Sequence, residues 1–176
     1  MNHNRVVCFD LEMCCWNENG IGRTGEIIEI GLAEIDLTSG EIVKRAQYYV
    51  KPEVDEVSQF CTELTGISPR KIEKQGRSLD DVLNSMKKNF GGSNKIYAAW
   101  GRDDVILQNE CAKKGLEMPF REFINLATLF RIQNRLKDKR VGHKVAQEMK
   151  GITWEGRQHS GYVDAYNLAK LALVML

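Results

Sequence analysis

Two carboxylates stand two positions apart in the otherwise apolar segment 6–12, which reads Val-Val-Cys-Phe-Asp-Leu-Glu. The segment has the composition of a buried β-strand, and a period of two residues places Asp10 and Glu12 on one face. Burial of two like charges is costly unless a cation lies between them. A divalent metal ion would satisfy both carboxylates, whereas a short edge strand would expose them to water. The pair alone favours the edge strand, so the rest of the chain must decide.

A second acidic pair, Asp103 and Asp104, follows a short β-like run that ends at Trp100. A carboxylate at this junction of strand and helix would lie at the edge of a sheet. An Asp there is also typical of a helix N-cap, because it accepts hydrogen bonds from the amides of the first turn. Taken alone, the pair is better interpreted as a cap.

A third candidate site contains His159 and Asp164, on either side of the start of the last apolar helical segment. On a continuous helix two residues five apart would diverge. Gly161 lets the chain bend, so that a His159 in the loop can reach a metal ion held by Asp164 on the helix. The alternatives are a surface histidine and an ordinary acidic residue in the first turn.

Together these residues predict one kind of chemistry. Carboxylates at the ends of several elements, with a histidine nearby, are the groups needed for phosphodiester hydrolysis with two divalent ions about 3.5 to 4 Å apart. Carboxylate oxygens are the ligands that Mg²⁺ and Mn²⁺ prefer. A histidine can accept the proton of the attacking water.

The elements that must position these residues can be read from apolar spacing. After the first strand, a turn-rich loop is predicted at residues 17–22, followed by β-like runs at 26–35 and 41–50 with a hairpin turn between them. A further β-like run spans residues 95–100. Helical spacing is found around residues 60–64, 79–90, 106–111, 124–136, 145–149 and 163–176.

This order predicts a mixed central sheet flanked by helices, an α/β arrangement. The ribonuclease H-like fold fits this order, but the pattern alone does not separate it from other α/β folds. At 176 residues the chain is expected to form a single domain, 1–176. Its charge is nearly balanced, with 25 basic and 24 acidic residues. Because no apolar stretch is long enough to cross a membrane, we expect no membrane association and a cytoplasmic location. The five cysteines, scattered and odd in number, predict free thiols.

Three segments carry a resemblance to a known family. The stretches 9–12, 100–104 and 159–165 resemble the three motifs of DEDDh 3′-to-5′ exonucleases, which belong to the ribonuclease H-like superfamily. Segments 49–53, 60–67 and 154–161 resemble the branch of the enhanced-RNA-interference exonucleases. The resemblance spans about residues 5 to 175. It implies removal of nucleotides from nucleic-acid 3′ ends and release of 5′-monophosphates with two divalent metal ions, Mg²⁺ or Mn²⁺.

The resemblance also implies roles for individual residues. Asp10 would bridge both metal ions, Glu12 and Asp164 would complete one site or hold its waters, and His159 would act as the general base. In the second motif, the usual spacing of two residues between Gly and Asp selects Asp104. Helical geometry also favours Asp104, because it places this residue on the side of Leu107 and Cys111. Asp103 remains the alternative.

Two further residues are candidates for substrate binding. Met13 follows Glu12 at the position where the family contacts the terminal nucleotide, and Trp16 could stack on a base or ribose. Ordinary packing is an equally good interpretation of both. Met13 departs from the Thr or Ala that the family often has there, so the sequence leaves selectivity for ribose or deoxyribose open.

Segment 131–144 is basic, with six Lys or Arg residues against the single acid Asp138. Such a segment can bind phosphates, in which case its affinity falls with added salt. A solvated loop between helices is an equally good interpretation.

The sequence therefore predicts a metal-dependent 3′-to-5′ exonuclease that acts on single-stranded RNA or DNA 3′ ends, with RNA somewhat favoured. The complete set of acidic residues and histidine argues against the alternative, a noncatalytic nucleic-acid-binding or scaffold protein on the same fold. A third interpretation, an endonuclease of ribonuclease H type, has no use for His159. Dimerisation occurs among relatives, so a homodimer is an option that the residues themselves do not test.

Overall fold

The computed structural model of the chain describes residues 4–17, 25–137 and 140–176. The loop predicted at residues 17–22 lies almost entirely outside these ranges. So do two positions of the basic segment, Asp138 and Lys139.

Within the described residues the strands form one five-stranded sheet with the order β3-β2-β1-β4-β5. The first three strands make an antiparallel meander, while β4 pairs in parallel with β1, and β5 pairs in parallel with β4. The carboxyl ends of β1, β4 and β5 therefore lie at the same edge of the sheet. The strands are β1 Arg5–Met13, β2 Ile27–Asp36, β3 Glu41–Tyr49, β4 Ile96–Ala99 and β5 Glu122–Asn125.

Helices cover both faces of this sheet. Three of them begin after a serine whose side chain accepts a hydrogen bond from an amide of the first turn, and two of these three end at a glycine in the left-handed conformation. The α-helices are α1 Gln59–Thr65, α2 Pro69–Gln75, α3 Leu79–Phe90, α4 Asp103–Lys113, α5 Leu126–Gln133, α6 His143–Met149 and α7 Gly161–Met175. A short 3₁₀ turn, Gly92–Asn94, precedes β4.

The two faces of β1 pack against different helices, as its period of two requires. Phe9 and Leu11 join the apolar cluster that includes α3, whereas Cys8 joins the cluster that includes α7. Asp10 and Glu12 share the face of Cys8. The two carboxylates therefore lie under α7, the helix that carries Asp164.

The predicted fold class is confirmed, with one strand missed. Residues 124–136 were expected to be helical throughout, but Ile124 and Asn125 belong to β5 and α5 begins at Leu126. A strand of four residues is too short to show a period of its own, and parallel pairing with β4 holds it in the sheet. Helix α2 was also missed; it has seven residues and begins at Pro69 after the cap Ser68.

Two expectations drawn from composition can also be compared with the structure. The five cysteines are free thiols, as their spacing predicts. None of the helices among the described residues is long and apolar enough to cross a membrane.

Candidate active site

Three of the predicted residues come together at the carboxyl end of β1. Asp10, Glu12 and Asp164 each offer a carboxylate oxygen within 4.8 Å of those of the other two. Glu12 is only 9% exposed, and Asp10 and Asp164 are partly buried. Two neighbouring strand positions and the first turn of α7 thus form one acidic cluster.

The carboxylates of the cluster are poorly solvated and repel one another, so their pKa values are raised. Burial, followed by the charge of Asp164, raises the pKa of Glu12 to about 8. Burial also raises the pKa of Asp164 to about 7, against the opposing effect of the His159 amide. Burial and then the charges of Asp103 and Asp164 raise the pKa of Asp10 well above its usual range. Each carboxylate is therefore costly to ionise unless a cation neutralises the group.

Helix α7 is brought to this point by a buried carboxylate on the neighbouring strand. Glu29 of β2 is fully buried, and its two oxygens accept hydrogen bonds from the amides of Gly161 and Tyr162, at 3.1 and 3.0 Å. The carboxylate thereby satisfies two donors at the N-terminus of the helix and interacts favourably with the helix dipole. Gln47 of β3 donates to the same carboxylate at 2.7 Å.

Glycines permit the close approach of α7 to β2. A Cβ atom on Gly31 would lie 1.9 Å from the carbonyl oxygen of Gly161, a distance that no side chain can occupy. The start of α7 therefore rests directly on the backbone of β2, across from Asp10, which pairs with Gly31 in the sheet. This contact fixes the height of Asp164 above the sheet.

His159 lies in the loop just before α7 and is exposed. Its φ is 61°, a left-handed conformation that is uncommon for residues other than glycine, although His, Asn and Asp adopt it more often than most. Its backbone amide donates to Oδ2 of Asp164 at 3.0 Å. The loop is thus tied to the cluster, and the imidazole is free to face solvent or substrate.

The structure distinguishes the two acidic residues of the second motif. Asp103 contributes to the raised pKa values of Asp10 and Glu12, and its own pKa is raised to about 7, mainly by burial. Asp104 instead accepts a hydrogen bond at its Oδ1 from Nε of the exposed Arg102, at 3.3 Å. The residue beside the cluster is therefore Asp103, and not Asp104, which the spacing had favoured.

The reason lies in the point at which α4 begins. The helix starts at Asp103, and β1 continues beyond its pairing with β4, which ends at Cys8. The amide of Leu11 is consequently available on that side and donates to the Asp103 carboxylate. Asp103 is directed toward β1 by this bond, while Asp104 lies one helical step further around. The same end of β4 carries both, so spacing alone could not choose between them.

The donor set fits divalent metal ions. Within the described residues, Oδ1 of Asp164 is buried and has no hydrogen-bond partner, although it lies among other carboxylates. A buried polar atom without a partner is rare and costly in a folded protein. A hard cation bound between Asp10, Glu12 and Asp164, with Asp103 alongside, would satisfy that oxygen and remove the repulsion.

The two predicted substrate-binding residues follow Glu12 in sequence, at and just after the end of β1. Met13 is partly buried and packs against the apolar cluster that includes Phe9. Trp16 is also partly buried and packs against the smaller cluster of Cys14, Ile28 and Tyr49. Both therefore have packing roles, and a role toward substrate stays a prediction.

Sequence reasoning missed Glu29. The signal was present, since Glu29 interrupts the apolar run Ile27, Ile28 and Ile30 in the same way that Asp10 interrupts the first strand. A carboxylate within a strand that is buried on both faces requires a partner. Here the partners are backbone amides of α7, which no local pattern identifies.

Comparison with known proteins places this geometry in a family. The Exonuclease (RNase_T) family model matches residues 7–172. The chain therefore belongs to the exonuclease family.

Curated relatives agree with the match. The chain is 27% identical to 3′-5′ exonuclease Snipper of Drosophila melanogaster, over 99% of its own length and 70% of that protein. It is 29% identical to ERI1 exoribonuclease 2 of Homo sapiens, over 97% of its length but only 28% of the relative. With 3′-5′ exoribonuclease 1 of Rattus norvegicus the identity is 27%, over 99% of the chain and 53% of the relative. The chain thus spans very different shares of these longer proteins.

Solved structures agree as well. The nuclease domain of 3′hExo, a DEDDh family member bound to rAMP, superposes with a TM-score of 0.85 at 26% identity, over 99% of this chain and 92% of that one. Cell-death related nuclease 4 shares the fold, with a TM-score of 0.83 at 22% identity, over 98% of this chain and 64% of that one. The predictions of a ribonuclease H-like fold and of a DEDDh-type exonuclease that resembles the enhanced-RNA-interference branch are confirmed.

Proposed function

We propose that this chain is a metal-dependent 3′-to-5′ exonuclease that hydrolyses the terminal phosphodiester bond of single-stranded nucleic acid and releases 5′-monophosphates. One observation carries the proposal. The carboxylates of Asp10, Glu12 and Asp164 converge within 4.8 Å at the carboxyl edge of the sheet, next to Asp103 and to the loop of His159.

The ligands in this proposal are the four carboxylates. The pKa of Asp10 is raised by the charge of Asp103 as well as by those of Glu12 and Asp164, so Asp10 is the carboxylate that two ions would share. Two Mg²⁺ or Mn²⁺ ions, when bound, supply positive charge that activates the attacking water and stabilises the leaving oxygen. Asp103 replaces Asp104 as the proposed ligand of the second motif.

His159 is the proposed general base. Its imidazole accepts a proton from the attacking water, whose oxygen forms a bond to the terminal phosphorus while the bond from phosphorus to the upstream 3′ oxygen breaks. The leaving 3′ oxygen takes up a proton from solvent water, and the released nucleotide keeps the phosphate on its 5′ oxygen. The hydrogen bond from the His159 amide to Asp164 holds the backbone of the loop that carries this base next to the carboxylates.

RNA is the proposed preferred substrate, with DNA as a weaker one. Support comes from relatives named exoribonucleases. It also comes from the structure of a 3′-exonuclease that recognises the 3′ end of a histone mRNA stem-loop. That structure superposes with a TM-score of 0.85 at 25% identity, over 98% of this chain and 81% of that one. Met13 and Trp16 are the proposed contacts to the terminal nucleotide.

A single domain, a cytoplasmic location and a homodimer stay predictions.

The test uses matched single-stranded RNA and DNA labelled at the 5′ end, each also prepared as a closed circle. With Mg²⁺ or Mn²⁺ we expect a ladder that shortens from the 3′ end of the linear strands, faster for RNA, and no cleavage of circles or in EDTA. Cleavage of circles would instead indicate an endonuclease. Binding of the linear strands without any shortening would indicate a noncatalytic protein.

A further inference from the structure

A cavity of about 460 Å³ opens beside the acidic cluster, where the ends of β4 and β5 meet α5 and the segment before α6. It is called the arginine cavity below. Its volume is in the range of sites that hold small ligands. Its walls include Trp100, Arg102, Asn125, Thr128, Arg131 and Arg140.

The charged residues that line this cavity are all basic. Arg102, Arg131 and Arg140 line it, and no Asp or Glu does so among the residues that the structure describes. Arg102 is bonded to Asp104 at the surface, so its charge is partly balanced. Nε of Arg131 is buried and, within the described ranges, has no hydrogen-bond partner. A buried donor of this kind favours an anionic ligand.

The arginines are held in place by the elements around them. Nε1 of Trp100 donates to the carbonyl oxygen of Val141 at 3.1 Å, and the indole stacks on His143 with 5.5 Å between ring centroids. These contacts tie the segment that carries Arg140 to the end of β4. Arg131 is fixed on α5, which begins directly after β5. The cavity is therefore formed before any ligand binds.

The cavity is a neighbour of the acidic cluster. Gly101 and Arg102 line it, and the next residue is Asp103. Because β1, β4 and β5 are parallel, their carboxyl ends share one edge, and β5 lies about 10 Å from β1, or two strand spacings. A polynucleotide whose 3′ end reaches Asp10 can therefore extend into the cavity.

We propose that the arginine cavity is a subsite for the substrate strand, where Arg131 and Arg140 bind phosphates of nucleotides upstream of the scissile bond. Guanidinium groups suit this role, since their planar fork matches phosphate oxygens and their faces stack on bases. The inference rests on the proposed function, because only a nucleic-acid substrate at the acidic cluster brings such phosphates here.

The test is the double variant Arg131→Gln/Arg140→Gln, with Arg121→Gln as its matched control. Arg121 is exposed and directly precedes β5, at the opposite edge of the sheet, so the control removes a charge of the same sign far from the cavity. Two substrates are compared for each protein: a series of RNA strands from two to ten nucleotides, and the p-nitrophenyl ester of a nucleoside 5′-monophosphate, which has no upstream nucleotide.

We expect the double variant to bind the longer RNA strands at least about tenfold more weakly, with a smaller dependence of affinity on salt. The shortest strand and the ester should be hydrolysed at the rate of the unmodified protein. The control should behave like the unmodified protein on all substrates. Unchanged RNA affinity and salt dependence in the double variant would overturn the proposal, and so would an equal loss on the ester.

Failure of the proposed function would be visible separately, because the unmodified protein would then hydrolyse neither RNA nor ester. If circular dichroism shows that the double variant does not fold, Arg140→Gln alone is decisive. Arg140 is exposed and outside the helices, so its loss should leave the fold intact. A tighter or unchanged affinity of that variant for the longest RNA would overturn the proposal.

Discussion

Asp103 and Asp104 are adjacent in sequence, yet only Asp103 shares the electrostatic environment of Asp10 and Glu12. Asp103→Asn should lower kcat at least about 100-fold, because loss of a proposed metal ligand should cost at least as much activity as loss of a residue that only supports a ligand. Asp104→Asn should change kcat by no more than about twofold, as expected for a substitution at the surface. Steady-state kinetics on labelled RNA checks both, and the reverse order would show that the second-motif ligand is Asp104.

The left-handed backbone of His159 determines which substitution tests its role. His159→Asn keeps a residue that tolerates this conformation but removes the imidazole that is the proposed base. We expect kcat to fall by about 10² to 10⁴, while the Kd for RNA, measured by rapid mixing before turnover, stays within about threefold. Imidazole added to the buffer should restore part of the rate. An equal loss of binding and turnover, without rescue, would contradict a role as base.

The metal-free cluster makes stability depend on pH. The folded-state pKa values of Glu12, Asp103 and Asp164, about 8, 7 and 7, exceed their ordinary values of 4.5, 3.8 and 3.8. Between about pH 4 and pH 8 the folded state therefore holds protons that the unfolded state releases. The free energy of unfolding consequently falls as pH rises through this range. In EDTA, the melting temperature of Asp10→Asn should exceed that of the unmodified protein most at pH 8, and a difference that shrinks toward pH 8 would contradict the account.

At the scale of elements, the placement of α7 depends on one side chain. Glu29→Gln keeps one acceptor where two amides donate, so a buried donor loses its partner at a cost of about 1 to 3 kcal/mol. The start of α7 should shift, and kcat should fall by at least about tenfold because Asp164 moves with it. Melting temperature and kcat are both measured.

The control for this variant is Glu34→Gln on the same strand. Glu34 is also buried, but it pairs with Lys95 and Arg5 at the other end of β2. It should lose stability without losing kcat at a temperature where both variants are folded. If the two variants lose kcat alike, the effect belongs to stability and not to the position of α7.

Elements differed in how far the sequence revealed them. The acidic strand β1 and the helix α7 were predictable, because each has a long apolar pattern and a polar residue out of place within it. Strand β5 was not, because its four residues are held by pairing with β4 and carry no period of their own. The choice between Asp103 and Asp104 also depended on contact between distant segments, namely the bond from Leu11 to α4.

At the scale of the whole molecule, the parallel strands gather the chemistry at one edge. The acidic cluster and the arginine cavity both lie at the carboxyl ends of β1, β4 and β5, although they carry opposite charges. The net charge of +1 conceals this separation. The overall charge therefore gives no sign of nucleic-acid binding, and the order of the strands is what places the proposed metal ligands beside the proposed phosphate-binding arginines.

The most direct measurement follows the products of one 5′-labelled single-stranded RNA in Mg²⁺, for the unmodified protein and for Asp10→Asn. We expect stepwise shortening from the 3′ end with release of nucleoside 5′-monophosphates, and a rate at least about 100-fold lower in the variant. Equal rates for the two proteins, or a first cut inside the strand, would contradict the proposed function.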